Sequence, residues 1–153
     1  MAALTVLAPV AGTVVALKDV DDPVFAGEIV GPGLAIEPDP VAGARVIAPV
    51  AGTVIKMHPH AFVLATDEGK GVLVHLGINT VQMGGEGFTL HAAEQDRVEP
   101  GQLLVEWDPA AVTASGRPAV CPVIALDADP QTVARLIEPG AVVTPEEPLF
   151  TIG

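Results

Sequence analysis

The chain has 153 residues, enough to bury one core without disulfide support, so a mini-protein stapled by cysteines is excluded. Half of the residues are apolar and 17% are charged, which excludes intrinsic disorder. A net charge of -12 repels phosphate backbones and anionic headgroups, so nucleic acid is excluded as a partner and a basic protein is favoured, although carboxylates also serve simply as solvated surface. The lone Cys121 has no intrachain partner, and the N-terminus has neither a basic start nor an apolar run long enough to span a bilayer. The expected location is the cytoplasm, without direct membrane insertion.

In chain order, the first feature is a repeat. LAPVAGTVVAL (Leu7 to Leu17) returns as IAPVAGTVIKM (Ile47 to Met57), with APVAGTV identical in both copies. Pro9 and Pro49 limit strand pairing, Gly12 and Gly52 permit a sharp turn, and two such units predict a pseudo-symmetric sandwich or barrel. GEIVGPGLAIEP (Gly27 to Pro38) reads as a glycine-punctuated strand pair. HAFVLAT and GVLVHLG then flank the turn Asp67-Glu68-Gly69-Lys70 as a hairpin. A helical turn fits NTVQM (Asn79 to Met83). GQLLVEWD, AVCPVIAL and PLFTIG read as further strands. DPQTVARLIE (Asp129 to Glu138) reads as a helix, with Asp129 as cap, Pro130 in the first turn, and Val133, Leu136 and Ile137 on one face. The fold class is all-β, an antiparallel β-sandwich or barrel-sandwich hybrid with a duplicated strand motif and one or two short helices, forming a single domain over residues 1–153.

Chemistry concentrates at His58, His60 and His75. With Thr66 opposite Gly71 in the hairpin, Phe62 faces His75, and His60 lies diagonally across on the same face; a slip of one residue would separate the rings. Converging imidazoles can be ordinary half-buried histidines. They can also be zinc ligands, with His58, His60 and His75 as three nitrogens, or a nucleophile and a hydrogen-bond donor for phosphoryl transfer.

The sequence around them resembles the glucose-type enzyme IIA proteins of the bacterial sugar phosphotransferase system. The similarity lies in GKGVLVHLGINTV around His75, in His60-Ala61-Phe62 fifteen residues before it, in Gly85-Glu86-Gly87-Phe88 after it, and in RVEPGQLLVEWD, DDPVFAGEIVGPGLAI and APVAGTV. It implies a β-sandwich and a histidine phosphotransferase component that needs no cofactor. His75 would accept a phosphoryl group from the phosphocarrier protein HPr and pass it to the enzyme IIB domain of a sugar permease, which could recruit the chain to the inner face of the membrane. It further implies that His60 stabilises the phosphoryl oxygens, that the Gly77 carbonyl holds His75 Nδ1, and that Val24, Phe25, Ile29, Val30, Phe62, Leu73 and Val81 ring the docking face, Phe25 being the best exposed candidate. Asp22 would pair with a basic residue of HPr.

Two positions depart from the family pattern: His58 replaces a common Thr, and Asn79 replaces an acidic residue, which bears on partner affinity. A phosphorylation-dependent regulator of permeases or kinases is the alternative. A zinc hydrolase of related barrel-sandwich fold needs ligands upstream, and no histidine precedes His58. A biotinyl carrier needs its lysine in a tight hairpin, whereas Lys56 precedes Met57 inside a strand.

Overall fold

The computed structural model describes residues 3–41 and 43–153. In chain order the elements are β1 (Leu4–Leu7), β2 (Gly12–Val15), α1 (Pro23–Ala26), β3 (Gly33–Pro38), β4 (Ala44–Ile47), β5 (Gly52–His58), β6 (Ala61–Ala65), β7 (Gly71–His75), β8 (Phe88–Leu90), β9 (Arg97–Val98), β10 (Leu103–Trp107), α2 (Pro109–Ala114), β11 (Cys121–Leu126), β12 (Val133–Arg135), β13 (Val142–Val143) and β14 (Pro148–Ile152). They form one eight-stranded sheet, ordered β13-β2-β3-β11-β7-β6-β5-β9, and two three-stranded sheets, β1-β14-β12 and β4-β10-β8, with antiparallel pairing between neighbours. The all-β reading holds, with two short helices. Among the described residues no helix is long and apolar enough to cross a membrane.

The repeat builds the frame. Pro9 and Pro49 have no N–H to donate, and their carbonyls are used reciprocally: Leu7 N donates to Pro49 O at 3.0 Å and Ile47 N to Pro9 O at 2.9 Å. Each copy is then closed by an equivalent later segment, β13 pairing with β2 at Gly12 and Thr13, and β9 with β5 at Gly52 and Thr53. Gly12 and Gly52 are not turn residues, as the sequence suggested; each opens a strand. A side chain at Gly12 would overlap the Glu37 carbonyl of β3, and one at Gly52 the Ala65 carbonyl of β6, so glycine is required by backbone approach.

Alternation along the strands separates two apolar faces. Leu34 and Ile36 of β3, Val72 and Val74 of β7, and Cys121, Val123 and Ala125 of β11 point into the main core with Phe62, Trp107 and Phe150. Ala35 and Ile124 point the other way, into a second cluster with Leu17, Val20, Phe25, Ile78 and Val120, against which Leu73 packs partly buried. That second face carries His75.

Three local readings differ from the sequence analysis. In Gly27–Pro38, only Gly33–Pro38 is a strand, and the residues before it form a turn and a bend. In Asp129–Glu138, Asp129 caps a single 3-10 turn at Pro130–Thr132, after which Val133–Arg135 pair with Phe150–Ile152 as β12. The open edge of β14 offers those residues ladder bonds, and Leu136 is left 53% exposed, so the expected helical face does not form. In the β6–β7 hairpin, Thr66 and Lys70 close the turn, through Thr66 N to Lys70 O at 2.8 Å and Lys70 N to Thr66 Oγ1 at 3.1 Å. This sets Ala65 opposite Gly71, Ala61 opposite His75 and Phe62 opposite Val74, one residue from the expected register. The helical turn expected near Asn79 is present at Thr80–Met83.

Candidate functional site

The three histidines do come together, by a different route from the one the sequence suggested. With the observed register, a strand residue at position 60 would point into the core, opposite in sense to His75. His60 instead lies in the two-residue turn Pro59–His60 between β5 and β6, since His58 pairs with Ala61. The turn releases it from strand alternation. Its carbonyl accepts from Leu76 N at 2.7 Å, and its ring meets His75 edge-on, with centroids 5.2 Å apart and planes at 65°. On its other side the His58 ring stacks on His60, with centroids at 5.6 Å and planes at 23°.

His75 ends β7, and the chain beyond it is tightly held. Gly77 is left-handed at φ +80°, Ile78 N donates to Pro118 O at 2.9 Å, and the buried Thr80 donates Oγ1–H to Leu76 O at 2.8 Å. This bend returns the Gly77 carbonyl to His75 Nδ1, 2.5 Å away. With Nδ1 as the donor, the protonated nitrogen is assigned, and the Nε2 lone pair is available for attack. Phe25 packs against the ring, centroids 5.3 Å apart. Asp22 holds Phe25 there by capping α1, its Oδ1 accepting from Val24 N at 2.9 Å and Phe25 N at 3.4 Å. The Asp-Pro pair that opens α1 is the sequence signal that could have shown this.

Burial pushes the His75 pKa below the ordinary histidine value, against the opposing pull of the Gly77 carbonyl and the Asp22 charge. The His60 pKa is also lowered, first by burial and then by the facing charges of His75 and His58. Both rings are therefore neutral at neutral pH, the state needed for a nucleophile and for a companion that can hydrogen-bond without competing for the proton.

The expected docking ring divides in two. Ile29 at 72%, Val81 at 62% and Val24 at 41% exposure are open to solvent, and Asn79 is exposed beside Val81. Val30 and Leu73 are half-buried. Phe25 is only 8% exposed, because it packs against His75, and Phe62 at 1% belongs to the main core, because the register turns it inward; neither forms part of the exposed rim. Gly77 is buried and serves through its carbonyl. Among the described residues no three His, Cys, Asp or Glu side chains are placed to hold a metal ion, so the three-nitrogen zinc arrangement does not form. Sequence reasoning missed Thr80. Its signal was a Thr four residues after Leu76 in a chain about to turn, a spacing that lets a hydroxyl bond back to a carbonyl. Gly85, noted in the sequence only as part of the Gly85-Glu86-Gly87-Phe88 motif, lies where a side chain would press on Pro59 at 3.2 Å.

A β-sandwich presenting one imidazole with a fixed tautomer and a second imidazole at its edge has a geometry that suits group transfer at nitrogen. The chain belongs to the EIIA 1 family of the phosphoenolpyruvate-dependent sugar phosphotransferase system, whose family model matches residues 4–130. A glucose-specific EIIA component of Halalkalibacterium halodurans is 40% identical over 126 residues, covering 81% of this chain and 71% of that protein. A glucose-specific EIIBCA component of Corynebacterium glutamicum is 38% identical over 126 residues; the match covers 81% of this chain and only 18% of that longer protein. Among solved structures, the glucose permease IIA of Mycoplasma capricolum superposes with a TM-score of 0.87 at 29% identity, covering 99% of this chain and 96% of that one.

Proposed function

We infer that His75 is the residue that carries the phosphoryl group, taking it from phospho-HPr and passing it to the IIB domain of a sugar permease at the inner face of the membrane. The observation that carries this is the hydrogen bond of His75 Nδ1 to the Gly77 carbonyl, which leaves Nε2 free beside His60. In the transfer, the Nε2 lone pair forms a bond to phosphorus as the P–N bond to the donor imidazole breaks, and that electron pair returns to the donor ring. His75 keeps its Nδ1 proton throughout, and the Gly77 carbonyl stabilises the positive charge that develops on the ring. His60 donates an N–H to the equatorial oxygens, where charge is spread in a loose, in-line transition state. No cofactor is needed for these steps.

A cavity of about 510 Å³ lined by Lys70, Leu126, Asp127 and Ile152 contains none of the three histidines. An exposed apolar rim of Val24, Ile29 and Val81 suits a protein donor and acceptor that exclude water on docking, and a basic face on HPr suits the acidic chain. Incubation with phosphoenolpyruvate, enzyme I and HPr should add one acid-labile phosphoryl group, seen by mass spectrometry and absent from His75→Gln. A wild-type protein that stays unmodified beside active donors would remove this function.

A further inference from the structure

We propose that His58 is a positioning residue for the transfer, holding the His60 ring in the plane from which it reaches the phosphoryl group on His75. This rests on the function inferred above for His75 and His60. The pairing of β5 with β6 shifts by one residue between Val54 and Lys56, the bulge falling at Ile55. Continued from Val54 opposite Leu64, the register would set His58 opposite His60; the bulge sets it opposite Ala61. Because Ala61 is in turn opposite His75, His58, Ala61 and His75 lie in a row across three strands on one face. Ala61 contributes only a methyl group, and the His60 ring, arriving from the turn, fills the space between the outer two rings at 5.6 and 5.2 Å.

Among the described residues, the histidine rings that make hydrogen bonds are His75 and His91. His60 is therefore oriented by packing, and the flat contact with His58 leaves its edge N–H free to donate. The backbone carrying both rings is held on either side: Met57 N donates to Glu94 Oε2 at 3.2 Å, and Pro59 lies against Gly85. His58 itself is exposed, so its replacement leaves the core untouched.

The test loads wild type, His58→Ala and His58→Phe through HPr, then measures return of the phosphoryl group to unphosphorylated HPr by rapid quench. Loss of one stacked ring should lower the maximal transfer rate of His58→Ala about 2- to 12-fold, with the HPr concentration for half-maximal rate unchanged. His58→Phe keeps the stack without ring nitrogens and should restore the rate. Three results overturn the proposal: His58→Ala as fast as wild type or faster, a defect confined to HPr affinity, or a Phe variant as slow as the Ala variant. Failure of wild type to load would instead strike the function assigned to His75, so the two failures are distinguishable. Thermal melts of both variants, expected to match wild type, check that folding is not the cause of any loss.

Discussion

Gly77→Ala puts the anchor of the His75 ring under direct strain. At φ +80° an L-residue costs about 1–2 kcal/mol relative to glycine. The added methyl would also lie 2.7 Å from Thr80 Cγ2, 3.0 Å from the Pro118 carbonyl and 3.3 Å from Val112 Cγ1. Two of these neighbours are fixed, since Thr80 is hydrogen-bonded to Leu76 and Pro118 O accepts from Ile78 N. Overpacking of this kind adds about 1–3 kcal/mol, for a total of about 2–5 kcal/mol. In a domain of this size that lowers the melting temperature by about 4–20 °C. The control is Gly69→Ala, which has nearly the same backbone angle, φ +82°, but nothing within 4 Å of the new methyl. It should lose only the conformational part, about 1–2 kcal/mol. Calorimetric melts of both variants isolate the steric difference. In Gly77→Ala the carbonyl facing His75 Nδ1 is displaced as well, so phosphoryl loading should slow even below the melting range. Equal destabilisation of the two variants, or normal loading by Gly77→Ala, would refute the role given to this bend.

Other predictions concern charge and the companion histidine. His75 is held neutral by burial, with its folded pKa below the unfolded value. Its contribution to stability is therefore present above the unfolded pKa of about 6.5 and is lost as pH falls towards the folded pKa. Urea unfolding should show this loss below about pH 6.5, and His75→Gln should flatten it; an unchanged slope would mean that the ring is not desolvated. His60→Gln should still be loaded at His75 but pass the group on about 10²- to 10³-fold more slowly, and donation at the wild-type rate in a quench assay would give His60 another role. Asp22→Asn keeps a good cap and should melt near wild type, while Asp22→Ala loses about 1 kcal/mol and loosens Phe25 from His75. Association of HPr should slow as salt rises, and less so for Asp22→Asn; an identical salt slope measured by stopped flow would remove Asp22 from the docking charge. Since no three ligating side chains are placed together among the described residues, zinc should show no micromolar affinity, and a calorimetric signal there would contradict the geometry.

The strands and the histidine cluster were legible because they depend on local pattern: alternation, glycine and proline punctuation, and chain distance. Register was not legible, because it is set by hydrogen bonds inside the Thr66–Lys70 turn, where a sequence reading cannot tell a four-residue loop closed at Thr66 and Gly71 from the tighter one that forms. The convergence of His60 with His75 was expected from strand alternation and arises from a turn. The Asp-Pro signal was read at Asp129–Pro130 and passed over at Asp22–Pro23 and Asp108–Pro109, yet all three open a helical turn with the carboxylate accepting from a backbone N–H ahead. It marks where a turn starts. How far the turn continues depends on what competes for the backbone, and at Val133 the edge of β14 wins.

The duplication and the site also stand in a definite relation. The two APVAGTV copies exchange equivalent hydrogen bonds and meet equivalent closing strands, so nothing in the shared residues distinguishes a functional copy. The difference lies in the chain downstream of each copy. The first copy ends β2 at Val15, and its continuation crosses the outer face of the sheet, where Asp22 caps the helix that sets Phe25 against His75. The second copy runs on through the bulge at Ile55 to His58, and its next turn supplies His60. One continuation thus lowers the dielectric around His75, and the other brings the His60 ring to its edge. Both act from hydrogen-bonded backbone, so in the function proposed for them the imidazoles need little reorganisation.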